Sequence, residues 1–374
     1  MVMGSQMLAI MLFTLSSLFG HGDGASIVFA GDAMQHKAQI DAAKKSGGVY
    51  DYSGCFDAVA PYVDAADYAV VNLETPLGGA PYTGYPCFSA PDSYLDALAD
   101  AGFDLMLTAN NHTLDKRDKG LVRTLDRLDA AGVNHVGTYR NREERDSVLP
   151  LLRDINGFKV AFLNYTYGTN GIELRTPAVV DYIDRKLIKD DIARARERGA
   201  EIVTVCIHWG VEYELLPSRQ QKELADFIVQ SGADIVMGGH PHVIQPMEMR
   251  KNADGRNVLV VYSLGNFISN MKTRDTRGGA MVKVDLSRDE DGAAVVKSAD
   301  YRLVFTVPPL GGGNFRLLPV EKCESPNCKA FEKSAMAVFD RHNVGVSRDT
   351  AAFMDKKMTP VEIFLFKTFG SLQK

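Results

Sequence analysis

From Ser26 to about residue 240, short continuous apolar runs alternate with longer stretches whose apolar positions recur at three- and four-residue spacing. The runs are SIVFAG (26–31), YAVVNL (68–73), DLMLTA (104–109), VNHVGT (133–138), FKVAFLN (158–164), EIVTVCI (201–207) and IVMGG (235–239). Between them the spacing predicts helices over Phe56–Ala66, around Leu95 and Leu98, through Leu121, Leu125 and Leu128, over Asp184–Arg198 and over Pro217–Gln230. Most of these stop at a glycine (Gly102, Gly132, Gly199, Gly232), the residue best able to take the left-handed turn that ends a helix. Strands that are apolar throughout and separated by helices predict a buried, largely parallel sheet in an α/β fold. From Asn257 the texture changes. VLVVYS, AMVKVDL and VVKSADYRLVF follow one another without helices, which predicts a second, antiparallel portion of sheet. Residues 321–374 read as a helical C-terminal extension of mixed polarity, with no site.

Composition changes this picture little. The 374 residues are 45% hydrophobic and 24% charged, enough for one large domain or two with a sizeable core. Net charge is −5, and there is no basic block, so nucleic acid is not an expected partner. The segment Met7–Gly20 carries no charge and is followed by small residues up to Ala25. It is short for a bilayer span and has the character of a secretory core, so residues 1–25 are expected to be a signal peptide or N-terminal anchor. That places the protein in the periplasm or at the cell surface, membrane-associated if the segment is retained. Five cysteines show no metal-binding CxxC spacing. Cys323 and Cys328, in CESPNC, could close a disulfide outside the cytoplasm, and Cys206 reads as a small core residue.

The chemistry gathers after the ends of five apolar runs. Asp32 follows the first, Glu74 the second (with Asn72 just before it), Asn110, Asn111 and His112 the third, His208 the run EIVTVCI, and His240 and His242 the run IVMGG. Ligands of open α/β sheets bind beyond the carboxyl ends of the strands, so one sheet would bring these residues to one rim. Carboxylate, amide and imidazole donors without thiolates suit Mn²⁺, Fe²⁺, Zn²⁺ or Co²⁺. More than four candidate ligands imply two ions, which can share a hydroxide nucleophile and clamp a phosphoryl centre when roughly 3.5–4 Å apart.

GDAM (31–34), NLE (72–74), NNH (110–112), HWG (208–210), GHPHV (239–243) and SLGNF (263–267), in that order, resemble the CapA/PgsA capsule-synthesis family of poly-γ-glutamate biosynthesis, itself similar to calcineurin-like metallophosphoesterases. The resemblance covers about residues 26–285. It implies a four-layer α/β/β/α sandwich of metallophosphoesterase type over residues 26–320, with a dinuclear site at the strand ends. Asp32 and His242 would hold one metal, Asn111, His208 and His240 the other, and Glu74 would bridge them or serve the first. His112 would be the general acid, a role suited to an imidazole titrating near neutrality. Where phosphoesterases carry a histidine two residues after the first aspartate, this chain has Met34, a poor ligand for such ions; His36 is the alternative, against a polar residue in a first helical turn.

Several other residues stand near these motifs. Glu212 and Glu214 could line the cleft or orient His208, and Tyr82, Tyr85 and Phe88 in GGAPYTGYPCFSAP (78–91) could cover it. Asn266 is placed near the metals by the resemblance, so Glu212, Tyr85 and Asn266 are the expected substrate contacts. Asp115 could hold His112 in one tautomer, Asp118 suits a first helical turn, and His135 and His342 read as structural. No GxSxG elbow, GxxxxGK[ST] or GxGxxG motif is present. The expectation is a metal-dependent, hydrolase-like protein of capsule or other cell-envelope polymer synthesis. It would direct a metal-bound hydroxide at a phosphoester or related centre of an anionic or phosphorylated substrate, in association with a capsule-synthesis complex at the membrane. The alternative is a non-catalytic factor that grips and exports the polymer.

Overall fold

Two sheets lie face to face in the computed structural model, which describes residues 24–348. Residues 1–23 of the expected leader and 349–374 of the expected extension fall outside the described residues. In the first sheet, Gly24–Ala33, Tyr68–Leu73, Leu105–Leu107 and Asn134–Val136 run parallel in that order. On the other side of Gly24–Ala33, strands Gly278–Arg288, Ala294–Val307 and Arg316–Pro319 continue it antiparallel. The second sheet has a parallel centre, Phe158–Thr166, Ile202–His208, Ile235–Gly239 and Asn257–Val261. Its edges, Leu151–Ile155 and Met247–Lys251, are antiparallel.

The period-two alternation of a strand decides which residues fill which layer. Ile27, Phe29, Tyr68 and Val70 point into one core with Phe162, Val260 and Met247 of the opposite sheet. Their neighbours Val28, Ala30, Ala69 and Val71 point the other way, onto Val63, Tyr94, Leu95 and Leu98 of the helical side. Helices Arg185–Glu197 and Arg219–Gln230 cover the far side of the second sheet with Ile188, Ile192, Ala225 and Ile228. The result is a four-layer α/β/β/α sandwich. Each fully buried Leu, Ile or Phe contributes roughly 1.5–3 kcal/mol, so this core holds the strand ends firmly in place.

Three expectations need correction. The rim is shared by two facing sheets rather than one. VLVVYS is not part of the antiparallel portion, because Asn257–Val261 lies parallel to Ile235–Gly239 in the second sheet. The helix expected over Phe56–Ala66 is reduced to the single turn Ala60–Val63, with Pro61 at its start. Within the expected extension, helix Pro326–His342 buries Phe331, Ala335 and Phe339 in the main core, edge-on or tilted against Phe305 and Tyr301. Cys323 and Cys328 are buried free thiols. Among the described residues no helix is long and apolar enough to cross a membrane.

Candidate metal centre

The parallel strands of both sheets deliver their carboxyl ends to one edge, and pairing register sets the depth of each side chain. Asp32 lies level with Asn72 on one neighbour and Asn266 on the other. His208 lies level with Gly239. The two glycines before His240 are required by close approach. A Cβ on Gly238 would stand 2.1 Å from the Tyr262 carbonyl oxygen, and one on Gly239 would stand 2.8 Å from Asp32 Oδ1. Beyond them the chain turns through left-handed backbone at His240 (φ 95°) and His242 (φ 57°). Such angles cost non-glycine residues on the order of 1–3 kcal/mol each and persist only where the surroundings hold them. Here the His240 N–H donates to Asp32 Oδ2 at 3.2 Å.

The structure brings Asp32, Glu74, Asn111, His112, His208, His240 and His242 together, all at most 4% exposed. His208 Nε2 is 2.7 Å from Asn111 Oδ1 and 3.6 Å from Glu74 Oε1. His242 Nε2 is 3.8 Å from the same Glu74 oxygen, and its Nδ1 is 3.4 Å from Asp32 Oδ2. Two groups of potential ligand atoms emerge, Glu74–His240–His242 and Asp32–Glu74–His208, each with its atoms within 4.8 Å of one another. Glu74 belongs to both. This grouping sets His240 with His242 and Asp32 with His208, a different division from the one the resemblance implies.

Around these residues lies a layer that fixes their orientation. Asn72 donates to Asp32 Oδ1 at 2.7 Å and faces His208 Nδ1 at 3.3 Å, and Asn110 donates to Asn72. His112 Nδ1 meets Asp115 Oδ2 at 2.8 Å, while Phe88 sets its edge against the imidazole, centroids 4.5 Å apart. Asn266 is fully buried, not at the mouth. Its amide nitrogen donates to Ser269 Oγ and the Thr276 carbonyl, so its Oδ1 accepts from His242 Nδ1 at 3.0 Å. That bond places the His242 proton on Nδ1 and turns Nε2 toward Glu74. Met34 is buried beside Asp32 in sequence, its N–H bonded to the Ile268 carbonyl. His36 is the N-cap of helix Lys37–Ala43, and its Nδ1 accepts from the Asn270 N–H at 3.2 Å.

The electrostatics are those of a site missing positive charge. Burial drives Glu74 well above the ordinary carboxylate range, reinforced by Asp32 beside it. Burial works the same way on Asp32 but is outweighed there by the His242 hydrogen bond and the charges of His208 and His242, which hold it well below that range. Burial also lowers His208 to about 3 and His240 to about 2. His242 alone rises, to about 9, because Glu74 and Asp32 overcome its desolvation. Among the described residues, both Glu74 oxygens and His240 Nδ1 are buried without a hydrogen-bond partner. Leaving a buried carboxylate unpaired costs several kcal/mol, so the arrangement is built for a cation to complete. Carboxylate, amide and imidazole donors fit divalent ions such as Mn²⁺, Fe²⁺, Zn²⁺ or Co²⁺.

At the mouth, Tyr85 and Glu212 are exposed, as is Glu214, whose carbonyl accepts from Gln245. Sequence reasoning missed Tyr167 and Tyr213. Tyr167 lies parallel to His208 (interplanar 8°) and 4.5 Å from His240, and Tyr213 lies 6.5 Å from His242. Tyr167 immediately follows the strand Phe158–Thr166, three residues past the apolar run 158–164, a position that could have marked it. Tyr213 had no sequence signal. Asp118 sits in the first turn of helix Arg117–Ala130, and His135 pairs with Asp129.

A family model described as bacterial capsule synthesis protein, PGA_cap, matches residues 26–271. This chain belongs to that capsule-synthesis family. It is 28% identical over 282 residues to the capsule biosynthesis protein CapA of Bacillus anthracis, an alignment covering 72% of this chain and 66% of that relative. It is likewise 28% identical over 298 residues to the PGA biosynthesis protein CapA of Bacillus subtilis, covering 76% and 74%. Similar solved structures include the NAD nucleotidase NadN of Haemophilus influenzae, with TM-score 0.47 and 13% identity over 92% of this chain and 60% of that one. The calcineurin-like phosphoesterase YfkN of Bacillus subtilis gives TM-score 0.44 and 11% identity over 85% and 98%. The capsule-synthesis family match spans both the Asp32 strand and the GHPHV loop, and ends just past SLGNF.

Proposed function

We propose that this capsule-synthesis family member is a metal-dependent hydrolase acting on a phosphoester, or a related acyl or amide centre, in a cell-envelope polymer such as poly-γ-glutamate or in its precursor. The observation that carries this reading is Glu74, with two orphaned oxygens and a place in both groups of candidate ligands, one with His240 and His242 and the other with Asp32 and His208. Glu74, which belongs to both groups, would hold the ions together with Asp32, Asn111, His208, His240 and His242. Divalent ions bound there would supply Lewis acidity toward a phosphoryl or carbonyl oxygen and toward water. Asn72 and Asn266 hold the ligands in place, and Phe88 with the buried flank of the site limits water. His112, with Nδ1 committed to Asp115, presents Nε2 to donate a proton to the leaving oxygen. The apolar segment Met7–Gly20 supports export and work beside a capsule-synthesis complex at the membrane.

The test is metal content together with turnover of p-nitrophenyl phosphate and bis-p-nitrophenyl phosphate, for the wild type and His240→Ala. Two equivalents of metal and turnover lost in the variant are expected. A wild type that stays inert after Mn²⁺ is added overturns the reading. One ion or none, with polymer binding retained, favours instead the accessory factor that Met34 makes conceivable.

A further inference from the structure

The rings about the centre form a row: Tyr167 to His240 at 4.5 Å, His240 to His242 at 5.8 Å, His242 to Tyr213 at 6.5 Å. The histidines are buried, while Tyr167 and Tyr213 at the two ends are 48% and 53% exposed. Tyr167 is fixed by its N–H to the His208 carbonyl at 3.0 Å. Tyr213 stands at φ 70°, a left-handed angle unfavourable for an aromatic residue, held by its N–H to the Pro241 carbonyl at 2.8 Å. Strain of that kind, over-determined by the surroundings, points toward function. Glu212 directly precedes Tyr213 in the chain and is exposed like it, and burial together with the carboxylates Glu212 and Glu74 raises both phenols.

Exposed aromatic faces and a carboxylate attract the same kind of group. The ring quadrupole draws a cation to its face, and the carboxylate pairs with it directly. The same wall repels an anion, so a polyanionic chain could be held here only through the metals. We propose that Tyr213 and Glu212, at one end of this row, form a recognition wall for an ammonium group carried next to the scissile bond of the substrate. This rests on the reading of the metal centre given above for the scissile group, but the wall itself is made of protein groups alone.

The deciding measurement compares two ligands that differ only in the cation. Isothermal titration of the Mn²⁺-loaded protein should show O-phosphoethanolamine binding about ten-fold tighter than ethyl phosphate. Glu212→Gln and Tyr213→Ala should each shrink that preference while leaving manganese stoichiometry and ethyl phosphate affinity in place. Saturation-transfer NMR with tetramethylammonium chloride on metal-free protein should give a signal that Glu212→Gln removes. Equal affinities for the matched pair, no tetramethylammonium signal in the wild type, or tighter binding of glycerol 3-phosphate would each overturn the proposal. If tetramethylammonium binds but neither phosphate does, the cation wall stands and the phosphoester reading of the centre falls.

Discussion

Asp181 and Asp191 are buried nearly as deeply as Asp32 and Glu74, yet the two clusters are finished differently. The first pair brings its own cation. Arg145, 1% exposed, donates Nε to Asp181 Oδ1 and Nη2 to Asp191 Oδ2, and Tyr165 Oη donates to Asp191 at 2.8 Å. The second pair has imidazoles that burial mostly holds neutral, and Glu74 is left with both oxygens unpartnered. Buried charge is tolerated when matched and costly when not. Asp181 Oδ2 also lacks a hydrogen-bond partner among the described residues, but its carboxylate is held by Arg145 through Oδ1, whereas neither oxygen of Glu74 is held, and that difference suits the Glu74 site to a cation from outside. Residue type does not separate structure from site here; completion of the charge does.

The comparison breaks most visibly at Glu74. Glu74→Gln keeps the shape and removes the shared charge, so metal content should fall below one equivalent and turnover by roughly 10²–10³-fold or more. The metal-free variant should melt no lower than metal-free wild type, because a desolvated acid has been exchanged for a neutral amide. A clear fall in its melting temperature would mean that Glu74 is structural. Arg145→Met tests the other cluster and should do the opposite. It strands two buried carboxylates, so chemical denaturation should show a loss of about 3–5 kcal/mol, while the folded fraction keeps its full metal complement. A loss below about 1 kcal/mol would show that the triad does not depend on its arginine.

Proton linkage sharpens the same contrast. His242 is raised from 6.5 to about 9 and must lose its proton to ligate a metal. Its contribution to metal-free stability is therefore present in full below about 6.5 and lost as pH rises through about 9. Metal affinity moves the other way, rising up to about ten-fold per pH unit across that window for this one proton. Titrations with Mn²⁺ at several pH values, in buffers of different ionisation enthalpy, would count the protons released. An affinity independent of pH between 6.5 and 8.5 would contradict the Asp32–His242–Glu74 coupling.

The rim was legible because each apolar run ends in a residue with chemistry, and those ends are where parallel strands expose side chains. Its division between two sheets was not legible. VLVVYS has the same apolar texture whether it pairs in one sheet or the other, and only the long-range register of Asn257–Val261 with Ile235–Gly239 decides it. Asn266 reads equally well as a substrate contact or an orienting group until its amide is seen committed to Ser269 and Thr276. Tyr213 owes its position to a left-handed backbone angle at a non-glycine residue, which local propensity disfavours and tertiary contacts impose. What pattern could not supply was the set of partners that side chains find across more than a hundred residues.

Asn266→Ala should weaken metal binding by about 10–100-fold, the usual range for a group that orients a ligand from behind. Asn266→Asp, which keeps an acceptor for His242 Nδ1, should recover part of it. Equal affinity in both variants and the wild type would remove Asn266 from the site.

His36 is the smallest case and the most informative about Met34. If the chain replaced the missing ligand with His36, His36→Ala should lose an equivalent of metal. The structure argues otherwise. Its Nδ1 already accepts the Asn270 N–H, its ring packs edge-on against Phe88 at 5.4 Å, and it caps helix Lys37–Ala43 in a reciprocal arrangement with Gln39. Burial lowers it to about 4, so it is neutral at working pH and brings no charge to the centre. His36→Ala should therefore cost about 1 kcal/mol of stability, a cap's usual worth, with metal content unchanged by elemental analysis. Loss of one ion in that variant would make His36 the ligand that Met34 is not.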